Sequence, residues 1–319
     1  MRVPLGRFIG SPHLFGDTSV KISDLVKQTT YIAKNNIYIR VSLLSIHILG
    51  NTITNFKDLL IAFSKLYRDD PRPPHSYLVY DLLYEPENTE VIARISSSKD
   101  VESYVLIWRS SRVYAVHLWG GSDSCDLLNY VVVEPRRFTR LVVELYNDDE
   151  ELIRCVVKRL VELGFRKIDV RRYHDMVCTE EMFKPSENEY LTTKLSHGYA
   201  ELFSDYMRFR GIELSLQEAR DLLMKRIYYG VIIGNEIVSA GAICTKLPEI
   251  YMVCDVYTKP SFRGRGYAKA VVSAITRIAI TSNAKAWLNV EIGNEPAIKV
   301  YTKLGYRVVD TRPWIIAYP

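Results

Sequence analysis

Two segments of this chain combine residue types that could do chemistry. The first runs from Val256, Tyr257 and Thr258 through Arg263, Gly264, Arg265, Gly266, Tyr267 and Ala268. Glycines at 264 and 266 let the backbone come close to a ligand and turn its N–H groups inward. A helix starting just behind them adds about half a positive charge at its amino end, which suits a diphosphate. Arg263 and Arg265 would reinforce that anion site. In isolation, the same residues read first as a solvated basic loop, and only their context reverses that preference. The second segment, Asn294 to Tyr306, has a helix N-cap in Asn294, a first-turn proline in Pro296 and a terminating glycine in Gly305, which alone is ordinary helix punctuation.

The elements around these segments decide what they can do. A strand is expected near Tyr190 to Leu195, then a helix from His197 to Arg210. Ser215 with Glu218 forms a capping-box signature that opens a second helix. Runs Tyr228 to Ile233 and Ile237 to Thr245 flank Gly234-Asn235 and read as an antiparallel hairpin. A strand follows from Ile250 to Thr258. From Gly266 to Ile280, Ala268, Val271, Val272, Ile275, Ile278 and Ala279 recur at the spacing of one helical face. A strand at Trp287 to Ile292, a helix at Glu295 to Leu304 and a strand at Tyr306 to Val309 complete a mixed α/β order.

In this order and spacing, Arg-x-x-Gly-x-Ala at Arg263 to Ala268 and Asn-x-x-Ala-x-x-x-Tyr-x-Lys-x-Gly-Tyr at Asn294 to Tyr306 resemble the two signature motifs of the GNAT acetyltransferase superfamily. The resemblance covers about the last 130 residues. It implies a mixed, splayed sheet flanked by helices, with acetyl-coenzyme A as cosubstrate and no metal. Val256, Tyr257 and Thr258 would pair with the pantetheine arm through their backbone. The amides from Arg263 to Ala268, those of Gly264, Arg265, Gly266 and Tyr267 among them, would hold the pyrophosphate, and Asn294 would sit by the pantetheine. Tyr301 matches the family's general acid, which protonates the departing thiolate. Asp255 and Glu291, at the two strand ends that should splay, are the carboxylates placed to take the amine's proton. By alternation Asp255 and Tyr257 would share one strand face, and Cys254 and Val256 the other. Asp255 is equally readable as a salt-bridged strand residue.

The first half shows strands near Ile37 to Ile48, Tyr104 to Trp108, Val113 to Trp119 and Leu141 to Tyr146, and helices near Asn55 to Tyr67 and Asp148 to Leu163. Leu163 to Arg171 lines up with Leu304 to Arg312, sharing a glycine and a following strand. Two tandem copies are therefore expected: a degenerate domain over 1–185 and a catalytic one over 186–319, with the polar stretch Ser186 to Tyr190 at the junction. At the repeat offset Ile153 stands for Asn294 and Leu160 for Tyr301, and nothing between Gly121 and Asn129 is similar to the basic glycine loop. This layout resembles the glycine N-acyltransferase-like proteins.

The chain has 319 residues, 48% hydrophobic and 25% charged, and a formal charge of +5. That is ordinary for two globular domains. No apolar stretch reaches the roughly 20 residues of a membrane span, and the first twenty residues lack a secretory pattern, so cytoplasmic residence is expected. Cys125, Cys155, Cys178, Cys244 and Cys254 are odd in number and widely spaced, and read as buried thiols. The histidines show no i, i+4 pair, so no metal site is expected. Despite 22 tyrosines, no clustered basic and aromatic motif suggests nucleic acid. The leading expectation is an N-acetyltransferase acting on a small-molecule or protein amine. A non-catalytic acyl-coenzyme-A-binding module is the alternative, and retention of Tyr301 favours the enzyme.

Overall fold

The computed structural model describes residues 28–33, 36–41, 44–49, 56–70, 72–109, 113–133 and 139–319. They form two compact units, one running to Arg172 and including Arg312–Pro319, the other Tyr173–Thr311. The junction expected at 185/186 thus lies upstream, at Arg172/Tyr173. It falls inside a strand, where composition gives no signal.

In the first unit, β1 (Gln28–Ala33), β2 (Asn36–Val41) and β3 (Leu44–Leu49) form an antiparallel set. Two helices follow, α1 (Phe56–Asp69) and α2 (Pro73–Tyr84). β4 (Thr89–Ile95), β5 (Val101–Arg109) and β6 (Val113–Trp119) make an antiparallel meander. A short helical stretch, Ser122–Tyr130, then leads to β7 (Arg140–Leu145), which is parallel to β6. Helix α3 (Glu150–Glu162) starts at Asp149, whose carboxylate accepts the amides of Glu151 and Leu152 at 2.8 and 3.1 Å. β8 (Lys167–Cys178) follows. Helix α2 and strand β4 were not legible in advance. α2 buries polar His75 and Asp81 as well as Leu78 and Leu82, so it lacks a simple apolar stripe.

The second unit repeats this order. β9 (Thr192–Leu195) precedes α4 (Ala200–Phe209) and α5 (Leu216–Lys225), the latter opened by the full Ser215/Glu218 capping box. β10 (Ile227–Ile233), β11 (Glu236–Leu247) and β12 (Ile250–Thr258) form the meander, with Gly234 at φ 59° in the turn. Helix α6 (Tyr267–Thr281) leads to β13 (Lys285–Glu291), parallel to β12. Helix α7 (Glu295–Lys303) and β14 (Arg307–Tyr318) end the chain. α6 buries Val271, Val272, Ile275 and Ala279 completely, each large aliphatic contributing about 1.5–3 kcal/mol. Gly241 of β11 allows that close packing, because a side chain there would press on Val271 and Ile275.

The aligned glycines do the same work in both units. Gly164 (φ 94°) and Gly305 (φ 100°) end α3 and α7 in the left-handed conformation. Phe165 N–H donates to Leu160 O at 3.1 Å and Tyr306 N–H to Tyr301 O at 3.0 Å, the same helix-ending pattern. The repeat is not exact: β1 and β2 have no counterpart in the second unit, and the Ser122–Tyr130 stretch stands where that unit has α6. β3 runs parallel to β4, whereas β9 runs antiparallel to β10. The final strands are also exchanged: β13 pairs with residues 173–178 of β8, and β7 with residues 314–317 of β14.

The cysteine expectation is corrected by the fold. Cys125 pairs with Cys155 and Cys244 with Cys254, at Cα separations of 6.3 and 6.0 Å, leaving Cys178 free and buried. Topology makes the partners: a helical stretch against α3 in one case, neighbouring strands β11 and β12 in the other. Spacing along the chain shows neither. Burial raises the Cys178 thiol to about 11, which keeps it protonated and inert. Among the described residues no helix is long and apolar enough to cross a membrane.

Candidate active site

β12 and β13 begin together and then part. They pair from Ile250 with Lys285 to Met252 with Trp287, although β12 continues to Thr258 and β13 to Glu291. On its other edge β13 stays paired with residues 173–178 throughout. Val256, Tyr257 and Thr258 therefore lie half-buried on a strand edge that has lost its neighbour, the splay expected from the sequence.

Just beyond Thr258 the chain enters α6 through Gly264 (φ 77°) and Gly266 (φ 82°). These left-handed angles suit glycine and strain other residues. The amides of residues 264–269 donate to no acceptor among the described residues. Free N–H groups at a helix start carry partial positive charge, the electrostatics that suits an anion. Arg263 and Arg265 are exposed beside it. Arg263 donates from Nε to Thr258 O at 3.2 Å and lies 5.7 Å from the Tyr257 ring, while Arg265 lies 5.5 Å from the Phe262 ring. Tyr267 and Ala268 are half-buried in the first turn.

After β13, Asn294 caps α7, its Oδ1 accepting the Ala297 amide at 3.4 Å. Tyr301 on the same helix is buried at 7% exposure, its ring 5.9 Å from that of Tyr306. Burial pushes its phenol well above the ordinary value, so the group stays protonated. The neighbouring Tyr306 hydroxyl is engaged by Thr276 at 2.7 Å, whereas the Tyr301 hydroxyl makes no hydrogen bond among the described residues. A neutral donor left unused is what a proton-donating role requires. Glu291 is half-buried at the end of β13.

Asp255 is placed differently. Its carboxylate, 1% exposed, accepts from Tyr228 Oη at 2.6 Å and from Arg210 Nη2 at 3.4 Å, with Arg226 Nη1 at 3.5 Å. This is the salt-bridged reading. Asp255 also has φ 55°, a left-handed conformation that costs a non-glycine residue about 1–2 kcal/mol. The register with β11 steps from Ala242–Cys254 to Ala240–Tyr257, so residues 255 and 256 form a bulge. The bulge overturns simple alternation. Cys254 and Tyr257 pack on the α4/α5 side and Val256 joins Val253 beneath α6. The sulfurs of Cys244 and Cys254 and an oxygen of Asp255 lie within 4.8 Å, but each is already bonded to a protein partner.

One part of the site was missed. The polar stretch read as a junction is a strap along α6. Ser186 N–H donates to Ser273 Oγ at 2.8 Å, Glu189 receives Ser273 and Arg277 at 2.5 Å each, and Lys184 N–H donates to Leu304 O at 3.0 Å. Every one of these partners is more than 80 residues away in the chain, so local sequence carried no sign of them.

Residues 228–315 match the family model described as FR47-like protein. The fold resembles solved structures over most of the chain. A Drosophila protein from a structural genomics consortium is 16% identical, with 83% of this chain and 91% of that one covered at a TM-score of 0.57. A GCN5-related N-acetyltransferase-like protein from Streptococcus suis is 12% identical over 81% and 99%, at 0.53. A tandem GNAT protein from the clavulanic acid biosynthesis pathway is 12% identical over 82% and 94%, at 0.51. The chain has a tandem GNAT fold. No curated protein sequence matches it significantly. Within this fold the glycine loop and the parting strands both lie in the second unit.

Proposed function

We propose that the second unit is an N-acyltransferase that moves an acetyl group from acetyl-coenzyme A to an amine. The observation that carries this reading is the convergence of a parted strand edge, a run of free amides at a helix start and an unpartnered phenol. The edge of Val256–Thr258 suits the amide-bearing pantetheine arm as an added strand. The amides of 264–269 suit the pyrophosphate. A neutral amine attacks the thioester carbonyl, forming the C–N bond. As the intermediate collapses the C–S bond breaks, and the thiolate takes the Tyr301 proton. The amine proton leaves to a base, for which Glu291, half-buried at the end of β13 beyond the point where the strands part, is the proposed group.

A thiol-release screen with acetyl-coenzyme A against amino acids, polyamines and peptides tests this reading. Release dependent on one acceptor class supports it. Saturable cofactor binding with no release for any acceptor favours the non-catalytic module. Gly266→Glu is expected to abolish coenzyme A binding in calorimetry while circular dichroism stays that of the wild type. Normal binding by the variant would overturn the placement of the diphosphate.

A further inference from the structure

The edge proposed for the acyl donor has a mechanical problem. From Val253 to Thr258, β12 has lost β13, and its remaining ladder to β11 is broken by the bulge. Val253, Cys254, Tyr257 and Thr258 keep their register with β11, but residues 255 and 256 between them, one of them left-handed, have no ladder partner on either side. The α4/α5 side supplies what the ladder does not. Tyr228 of β10, Arg210 at the end of α4 and Arg226 at the end of α5 converge on the Asp255 carboxylate. Tyr206 of α4 donates to Tyr257 O at 2.7 Å, and the Arg210 guanidinium lies 5.8 and 5.3 Å from the Tyr206 and Tyr257 rings. The arginine side chains are 7% and 4% exposed. Three elements thus hold Asp255 and Tyr257, the residues on either side of Val256 in the bulge.

Resting on the acyltransferase reading, we propose that Asp255 is a positioning residue for the pantetheine arm. Its clamped carboxylate fixes the bulge and so sets the direction in which the Val256–Thr258 edge presents its amides and carbonyls. Its charge matters for geometry, and it exchanges no proton with the acceptor.

Ligand fragments separate this role from its rivals. Coenzyme A spans both the loop and the edge, whereas 3′-phosphoadenosine 5′-diphosphate carries the diphosphate without the pantetheine and reaches the loop alone. Asp255→Asn is isosteric and still accepts from Tyr228, but removes the charge that holds both arginines. Calorimetry should show coenzyme A and acetyl-coenzyme A weakened about tenfold, the scale of one or two lost hydrogen bonds. The fragment should bind within about twofold of wild type. Equal affinity of the variant for coenzyme A would overturn the proposal, as would equal loss for coenzyme A and the fragment, which signals general damage. If Asp255→Asn does not fold, Tyr228→Phe, which deletes one hydroxyl, is held to the same comparison with a smaller expected loss of about threefold. Failure of the wild-type protein to bind either ligand would instead sink the acyltransferase reading itself.

Discussion

At the scale of single residues, Tyr301 separates catalysis from packing. Its ring fills the space between α7 and Tyr306, so Tyr301→Phe keeps the packing and removes only an unpartnered hydroxyl. Positioned acid catalysis contributes about 10²-fold to 10⁴-fold, and kcat is expected to fall in that range with KM for acetyl-coenzyme A little changed. The pH dependence follows from burial. Because the phenol titrates well above its ordinary value of about 10, Tyr301 remains protonated through neutral and mildly alkaline solution. Wild type and variant should therefore show pH–rate profiles of the same shape between about pH 7 and 9. An unchanged kcat, in an assay limited by chemistry, would make Tyr301 a packing residue.

At the scale of elements, glycines at equivalent helix ends give a paired prediction. Gly164 has open space around it, while a Cβ on Gly305 would collide with the carbonyl of Met182, two residues ahead of Lys184 where the strap begins. Gly164→Ala should therefore cost only the left-handed backbone strain, about 1–2 kcal/mol, whereas Gly305→Ala must also displace the Met182 backbone. Urea unfolding is expected to rank Gly305→Ala as the more damaging variant, and equal losses would contradict the close approach. The same comparison shows what was legible in the sequence. The capping box at Ser215, the turn at Gly234, the apolar face of α6 and the end of α7 are local signals, and the elements formed at those residues. The strap, the Cys125–Cys155 pair and the exchange of the final strands depend on residues distant in the chain, while the bulge at Asp255 and the Cys244–Cys254 pair depend on the register of β11 against β12. For Asp255, the motif placed the residue on the right strand, but alternation failed because one extra residue in the bulge resets the faces.

At the scale of the whole molecule, the first unit sets both an acid limit and a binding stoichiometry. His75 is buried with its Nδ1 2.9 Å from the Tyr104 hydroxyl. Burial lowers its pKa to about 4 despite the opposing charge of Asp70. The folded value lies below the unfolded value of about 6.5, so the unfolded chain binds the proton more readily. The associated stability is complete above about pH 6.5 and is lost as pH falls through about 4, amounting to about 3 kcal/mol. Thermal midpoints followed across that window should fall for wild type and fall less for His75→Leu; parallel curves would contradict it.

The stoichiometry follows from comparing the two pairs of parallel strands. β6 and β7 stay paired over six positions, from Val113 with Arg140 to Leu118 with Leu145, where β12 and β13 separate after Met252. The slot that would admit a pantetheine arm is thus closed by backbone hydrogen bonds in the first unit. Its counterpart of the glycine loop is the helical stretch Ser122–Tyr130, which buries Cys125, Leu127 and Leu128 in the core. Ile153 and Leu160, standing where the second unit has Asn294 and Tyr301, are buried in that same core. Opening the first unit to a ligand would expose this apolar surface and break a sheet, which no diphosphate contact there offsets. Titration calorimetry with coenzyme A should therefore give one site per chain, and Gly266→Glu should reduce it to none. A value of two for the wild type, or one retained by the variant, would show that the first unit binds the cofactor by a geometry unlike the loop and parted strands of the second.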